Sequence, residues 1–330
     1  MKNKYRNIFL AFGIVAVLIM IFTFDMDYQE LWANLKRAGV YLPLVLLLWL
    51  FVYLINTTSW YIIIRSGGKP GFSFARLYKF TVTGFALNYV TPVGLMGGEP
   101  YRIMELKPYI GVERATSSVI LYVMMHIFSH FCFWLSSVLL YLCLYPVGWV
   151  MGTILGTITV FCLLVAMLFV KGYQHGMAVA FVRLGSHLPF LKKKVIRFAD
   201  SHREQLENID KQIALLHQQK KGAFYAALFL EYTARVVSCL EIWLILNVLT
   251  RSVSFADCCL IAAFSSLLAN LLFFLPMQLG GREGGFALAV GGLSLSGAYG
   301  VYAALITRVR EMVWIVICLL YTSDAADEAR

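Results

Sequence analysis

The stretch Asn88–Arg102, NYVTPVGLMGGEPYR, interrupts an apolar run with a proline, a glycine pair and then a glutamate. Pro92 removes a backbone donor, and Gly97 and Gly98 disfavour a helix, so an apolar helix must break here. Lipid cannot satisfy the backbone groups that such a break frees, so protein or a wet cavity must lie beside it. An ionisable residue at this depth, Glu99, indicates a functional site by default.

The same order of residue types returns in a second apolar stretch, Asn270–Glu283, NLLFFLPMQLGGRE. Asn270 is followed by Pro276, by the pair Gly280–Gly281, and by Arg282 and Glu283. A second broken helix is therefore predicted, related to the first as one half of a repeat.

Composition places both stretches in a membrane. The 330-residue chain is 60% hydrophobic and 14% charged, with a mean hydropathy of +0.74, against roughly 45–50% apolar residues in soluble domains. The formal charge of +10 could suggest nucleic acid, but the basic residues lie between apolar runs, where the positive-inside rule expects them. Nucleic-acid binding is therefore not expected. The predicted spans are Ile8–Phe24, Val40–Ile64, Thr116–Leu144, Val150–Val170, Gly222–Leu249 and Ala298–Leu320.

Charge also predicts how the chain crosses the membrane. The segment Lys171–Lys221 holds ten Lys or Arg against four acids and is expected in the cytoplasm, with the N-terminus. The loops on both sides of Phe80–Pro92, including the one with Arg102, then lie on one side, so this segment dips in and returns. Phe255–Leu275 dips in from the opposite face. The predicted fold is an all-α polytopic membrane protein with about six spanning helices and two re-entrant helical hairpins in an inverted repeat.

One integral membrane domain is expected over residues 1–317. It comprises a retained signal-anchor helix at 8–24, a first repeat at 40–144, a basic linker at 171–221 and a second repeat at 222–317. The linker is either an interfacial helix on anionic lipid or a plain connector. Residues 318–330 turn abruptly acidic and resemble the translation of a sequencing-library adapter, so we expect them to be foreign to the natural chain.

Further ionisable residues fall inside the predicted spans. Arg308, Arg310 and Glu311 lie in the last one. Either the arginines bind phosphate, or Arg308 pairs with Glu311 at i, i+3, or the three sit at the interface of a helix that starts later. Glu231 and Arg235, at i, i+4, suit an intrahelical ion pair. His126 and His130 favour a hydrogen-bonded pair in the bundle over a metal site, because no local Cys or carboxylate completes one. No metal, no cofactor and no His–carboxylate dyad are expected.

Three motifs resemble the lysylphosphatidylglycerol synthase transmembrane-region family, whose members include flippase-like domains. They are N-x3-P-x4-GGEPYR at Asn88–Arg102, LPMQLGGREGG at Leu275–Gly285 and ITRVREMVW at Ile306–Trp314. The resemblance implies a fold with re-entrant helices and, as in the multiple peptide resistance factor proteins, translocation of aminoacylated phosphatidylglycerol between leaflets. Those longer proteins carry a soluble aminoacyl-transfer domain. No soluble stretch in these 330 residues is long enough to be one, so we do not expect these residues to carry the synthase activity. The second motif is also more compact than the family's usual spacing before the glutamate.

We therefore expect a lipid flippase or lipid-binding transporter of the bacterial inner membrane, with membrane lipids as partners. Glu99 and Glu283 would contact a cationic group, while Arg102, Arg282 and Arg308 would receive phosphate. Alternatively, each glutamate pairs with a nearby arginine, Glu99 with Arg102 or Glu283 with Arg308, simply to hold its hairpin. The alternatives are a membrane glycosyl- or acyltransferase acting on a lipid-phosphate, and an accessory partner of a lipid-modifying enzyme. The candidate head-group site comprises Asn88, Pro92, Gly97, Gly98, Glu99, Arg102, Asn270, Pro276, Gly280, Gly281, Arg282, Glu283, Arg308 and Glu311.

Overall fold

The computed structural model describes residues 29, 33, 36, 41–90, 97–175, 207–208, 210–211, 221–249, 253–271, 281–293, 295 and 297–327. Nine helices have defined bounds within these ranges, and no strand occurs there. In chain order they are α1 Tyr41–Ser66, α2 Phe74–Val90, α3 Gly98–Ile110, α4 Val112–Leu144, α5 Trp149–His175, α6 Lys221–Leu249, α7 Phe255–Leu271, α8 Gly281–Gly292 and α9 Gly297–Asp327. The prediction of an all-α chain is confirmed.

Three of these helices, α1, α4 and α5, are long and apolar enough to cross a membrane. All three lie where the sequence predicts spans, and their exposed side chains include apolar ones such as Leu47, Leu139 and Leu168. An apolar exterior is what contact with lipid requires. Helices α6 and α9 also form at predicted spans, but each carries buried ionisable residues, such as Glu241 and Arg310. The total number of spans stays a prediction.

Only part of the predicted domain organisation can be compared with the structure. Ile8–Phe24 and nearly all of the basic linker lie outside the described residues. At the other end, α9 continues past the predicted boundary at Cys318 as far as Asp327.

The first broken helix is an antiparallel hairpin made of α2 and α3. At its open end, Arg76 of α2 donates a hydrogen bond of 2.9 Å to the Tyr109 hydroxyl of α3. At its tip, the Gly98 amide donates to the Asn88 side-chain oxygen at 2.8 Å. The hairpin therefore covers more of the chain than the predicted dip at Phe80–Pro92, because a second full helix forms after the glycine pair.

The two arms approach most closely at their glycines. A side chain on Gly98 would overlap the backbone carbonyl of Gly84, and a side chain on Gly84 would overlap the Arg102 guanidinium. The expectation that Arg102 lies in a loop is wrong, while its side of the membrane stays a prediction. It lies within α3 and is only 1% exposed, because the close approach of the arms encloses it.

Gly98→Ala is expected to lower the free energy of unfolding by about 1–3 kcal/mol, since the new methyl group overpacks the contact between the two arms. The measurement is the thermal unfolding of the detergent-purified protein, followed by size-exclusion chromatography. Gly156→Ala in α5 is the matched control, because nothing lies within 4 Å of the added methyl group. Equal stability of the two variants would show that α2 and α3 do not meet at Gly98.

The second broken helix is formed by α7 and α8. A methyl group on Gly285 of α8 would lie 3.5 Å from both Ser265 and Leu268 of α7, which is ordinary van der Waals contact. Helix α8 also packs closely on α9, where a side chain on Gly300 would overlap the Phe286 carbonyl. Pro276 and Gly280, the residues predicted to break this segment, lie outside the described residues.

The two halves repeat the same order of elements: a long helix, a pair of shorter ones, then a second long helix. The first long helices, α1 and α6, pack antiparallel, since Ser59 bonds the Ala227 carbonyl at 3.1 Å and Trp49 bonds Glu241 at 2.8 Å. Helix α4 packs on α6 and α7, and α9 packs correspondingly on α1 and α2. An inverted repeat across a membrane stays a prediction, and this packing is what such a repeat would produce.

Candidate functional site

The tip of the first hairpin holds an ion pair and an amide together. Glu99 accepts hydrogen bonds from the Asn88 amide at 3.0 Å and from Arg102 at 3.2 Å. Asn88 in turn accepts the Gly98 backbone N–H, which links the start of α3 to the end of α2. The polar residues of the first motif therefore converge, as the sequence predicts.

Arg102 is enclosed by aromatic rings as well as by Glu99. Its guanidinium carbon lies 4.8 Å from the centre of the Phe85 ring, 5.3 Å from that of Tyr122 and 5.7 Å from that of Trp60. A cation over aromatic faces is stabilised by their quadrupoles, which partly offsets the loss of water. One nitrogen of Arg102 and one oxygen of Glu99 are buried with no hydrogen-bond partner among the described residues.

A second pair lies next to this one, between α4 and α6. His126 of α4 and Glu231 of α6 are 2.8 Å apart, and Arg235 bonds Ser129 at 2.6 Å and the His126 carbonyl at 2.7 Å. The Tyr122 ring lies 6.4 Å from that of His126 and so contacts both pairs. We call the residues that meet here the first ionic cluster: Asn88, Glu99, Arg102, His126, Glu231 and Arg235.

Helix α9 carries the core of a second ionic cluster. Arg282 donates to Glu311 at 2.6 Å and to Thr307 at 3.1 Å, and Arg308 donates to Glu283 at 2.5 Å. These contacts join the start of α8 to the middle of α9. They hold the second motif's charged residues against the third motif.

Arg310 extends this cluster to the first half of the chain. It bonds both oxygens of Glu241 on α6, at 3.0 and 3.3 Å, and lies 3.5 Å from Glu311. Its guanidinium carbon lies 3.7 Å from the centre of the Trp49 ring on α1. The second ionic cluster comprises Glu241, Arg282, Glu283, Arg308, Arg310 and Glu311.

The tip of the first hairpin lies between the two clusters. Asn88 belongs to the first cluster, while the next residue, Tyr89, lies close to Arg310 and Glu311. Tyr53 of α1 also lies near Arg310, and its ring packs 5.2 Å from that of Trp314. A change at this tip would therefore affect both clusters.

The charges of the two clusters balance. As defined above, they contain five arginines and five glutamates, so their formal charge is zero when His126 is neutral. An arginine alone at the centre of a bilayer costs at least about 2.5 kcal/mol, and pairing reduces that cost only with good hydrogen-bond geometry. The balance explains how α6 and α9 can hold so many ionised groups.

Most of the predicted site residues are brought together. Gly97, Gly98, Glu99, Arg102 and Asn88 meet at the first tip, whereas Arg282, Glu283, Arg308 and Glu311 meet beside Gly281 at the start of α8.

Asn270 differs from its predicted counterpart Asn88. Its amide bonds the Ser266 carbonyl of its own helix at 2.7 Å and its side chain is exposed. Pro92, like Pro276 and Gly280, lies outside the described residues.

Two predicted intrahelical pairs are replaced by contacts between helices. Glu311 accepts from Arg282 and not from Arg308, and α9 already begins at Gly297, so Arg308 is in mid-helix and 5% exposed. Glu231 similarly turns to α4 and away from Arg235. Partners on another helix bury these groups more completely than a neighbour on the same surface would.

The expectation that the chain has no His–carboxylate dyad is wrong, because His126 and Glu231 form one across 105 residues of sequence. Arg310 and Glu241 stand out in the sequence as ionisable residues inside predicted spans but are absent from the predicted site, and Trp49 was missed altogether. Glutamates inside an apolar span were the available signal for Glu231 and Glu241, but nothing local identifies their partners. No group of three or more His, Cys, Asp or Glu side chains suited to a metal occurs in the part of the chain that the structure describes.

Comparison of the sequence with protein-family models identifies its family. The family model described as "Lysylphosphatidylglycerol synthase TM region" matches residues 8–319, a range that includes both hairpins and both ionic clusters. Comparisons with curated proteins and with solved structures gave no match. The resemblance seen in the three motifs is thus confirmed over nearly the whole sequence, and the chain belongs to the lysylphosphatidylglycerol synthase TM region family.

Proposed function

We propose that this protein is a lipid flippase or lipid-binding transporter of the bacterial inner membrane, acting on a phospholipid or polyprenyl-phosphate. The observation that carries the proposal is the pair of ionic clusters at the tips of two helical hairpins within an otherwise apolar bundle. Buried ionised groups in membrane segments mark substrate pathways, because a purely structural bundle avoids their cost. Membership of the family agrees with a role in lipid modification or movement.

The head group would bind by exchanging partners with the ion pairs. Arg102, Arg282 and Arg308 are each already paired with a glutamate, so a phosphate has to replace or share that carboxylate. Where the head group carries a cationic group, the released carboxylates, Glu99 and Glu283 first, would then contact it. For such a zwitterionic head group, exchange keeps the site close to neutral while the lipid passes.

An apolar cavity provides a place for an acyl chain. It has a volume of about 170 Å³, lies between α4, α5, α7 and α8, and is lined by residues such as Trp134, Leu155 and Leu267. The rings of His126, His130 and Trp134 follow one another along α4 at 5.7 and 5.5 Å, from the first ionic cluster to this cavity. One lipid molecule would therefore place its head group at the first ionic cluster and part of an acyl chain in the neighbouring cavity.

The test is lipid movement by the purified protein in vesicles. An impermeant reductant quenches the fluorescence of labelled phospholipids in the outer leaflet only. Lipid that moves from the inner to the outer leaflet is then quenched as well, so movement appears as loss of the protected inner-leaflet fluorescence. We expect faster loss in vesicles with the folded protein than in vesicles with the heat-inactivated protein. Equal rates with every phospholipid and polyprenyl-phosphate probe would rule out transport.

The His126–Glu231 dyad favours one other candidate, an enzyme acting on a lipid-phosphate, because a histidine held by a carboxylate suits a general base. Its test is the lipid extract of cells that express the parent protein or His126→Gln. A lipid species present with the parent and absent with the variant would favour an enzyme.

A further inference from the structure

The pair formed by His126 and Glu231 has features that the proposed transport role does not use. Glu231 is 1% exposed, whereas His126 keeps 27% of its side-chain surface accessible. One Glu231 oxygen bonds His126, and the other is buried with no hydrogen-bond partner among the described residues. A buried carboxylate bonded to a histidine inside a membrane segment is an arrangement that proton-translocating membrane proteins use.

Further charged residues lie near this pair. Arg235 lies on α6, the same helix as Glu231, and Arg102 and Glu99 lie on α3. On α4 itself, Tyr122 and His130 lie on either side of His126.

Helix α2 adds only an aromatic contact to His126, from the Phe85 ring at 5.7 Å. With neutral His126, the two arginines and two glutamates of the first ionic cluster sum to zero. The cluster is therefore neutral before a ligand or a proton binds.

That balance has a consequence for a ligand with a negative charge. A phosphodiester that enters the first ionic cluster adds one negative charge to a neutral site that is buried away from water, where an uncompensated charge is costly. A proton taken up by the His126–Glu231 pair restores neutrality. A ligand that carries its own cation needs no such proton.

We propose that His126 and Glu231 form a proton-binding site, so that an anionic head group enters the first ionic cluster together with one proton. This inference rests on the proposed lipid-binding function and names the ion that accompanies the lipid. The head group is a phosphodiester with no cation of its own, as in phosphatidylglycerol. The proton binds the His126 ring, and Glu231 stabilises the imidazolium that forms, so both residues are needed.

The experiment measures proton uptake when a soluble probe binds the detergent-purified full chain in weakly buffered solution near neutral pH. With dihexanoyl-phosphatidylglycerol we expect about one proton taken up per bound molecule. With dihexanoyl-phosphatidylcholine, which brings its own ammonium group, we expect binding without uptake. Dimethyl phosphate, a phosphodiester without acyl chains that does not itself titrate near neutral pH, is the third probe, and uptake with it alone would assign the site to a soluble phosphodiester and contradict the inference.

Two variants and a matched control complete the test. His126→Gln keeps a hydrogen-bond donor toward Glu231 but cannot be protonated, so we expect uptake to fall at least about fivefold, as we do for Glu231→Gln. His130→Gln changes the neighbouring histidine on the same helix and should keep the uptake of the parent. Uptake that persists in His126→Gln, or no uptake by the parent on binding phosphatidylglycerol, would overturn the inference.

Failure of the proposed function gives a different result. If none of the lipid probes binds the folded parent and none moves in vesicles, the transporter proposal fails and the proton site fails with it. If phosphatidylglycerol binds or moves but no proton accompanies it, the transporter proposal stands and only the proton site is lost.

Discussion

Replacing Arg310 by glutamine is expected to lower the free energy of unfolding by about 3–5 kcal/mol, the cost of leaving one member of a buried ion pair without its partner. Arg310 is 1% exposed, bonds both oxygens of Glu241 and lies 3.7 Å from the centre of the Trp49 ring. After the change Glu241 keeps the Trp49 indole as a donor but no longer has a compensating charge. Because Arg310 joins α9 to α1 and α6, its replacement should weaken the whole bundle.

The measurement is thermal unfolding of the purified protein in detergent, with the folded fraction read by size-exclusion chromatography. Arg76→Gln is the matched control, since Arg76 also bonds a partner, Tyr109, and lies over its ring, but is exposed. Exposed pairs contribute only about 0–1 kcal/mol, so the control should unfold near the parent's temperature.

The double variant Glu241→Gln with Arg310→Gln removes both charges and should recover most of the stability, because no charge is then left unpaired. If Arg310→Gln is as stable as Arg76→Gln, the contact between Arg310 and Glu241 does not hold the two halves together.

The positions of the helix breaks are easier to predict from the sequence than the side-chain contacts that form at them. Proline and paired glycines act on their own backbone, so the first tip at Asn88 and Gly98 is predictable from residues a few positions apart. The length of the first hairpin is not predictable in this way, because the sequence of α3 is polar and the helix becomes buried only by packing. Arg102 shows the consequence: by charge it is a cytoplasmic loop residue, and in the fold it is enclosed by aromatic rings.

The sequence predicts two of the ion pairs, Glu99 with Arg102 and Glu283 with Arg308, and both are confirmed, but it could not supply the partners of Glu231 and Glu241. Glu241 meets Arg310 across 69 residues and Trp49 across 192. Local rules rank the i, i+3 and i, i+4 neighbours first, and therefore predict pairs within one helix. In a bundle surrounded by lipid, an ionised group gains more from a partner on an adjacent helix, which also shields it from the hydrocarbon.

Glu99→Gln is expected to slow lipid movement in reconstituted vesicles at least about tenfold, a change that corresponds to roughly 1.4 kcal/mol in the barrier. Glu99 accepts from both Asn88 and Arg102, and glutamine keeps one acceptor while removing the charge. Arg102 would then hold a buried positive charge that keeps a phosphate bound and hinders its release. Glu113→Gln, at an exposed glutamate near the start of α4, is the matched control and should move lipid at the parent's rate.

A purely structural ion pair would give the same loss of lipid movement through misfolding, and the double variant Glu99→Gln with Arg102→Gln separates the two explanations. Removal of both charges relieves the burial cost, so the fold should recover in either case. If the pair only holds the hairpin, lipid movement recovers with the fold. If Glu99 and Arg102 exchange their bond for contacts with the head group, the double variant is stable but still fails to move lipid, because nothing remains at the first tip for a phosphate to bind.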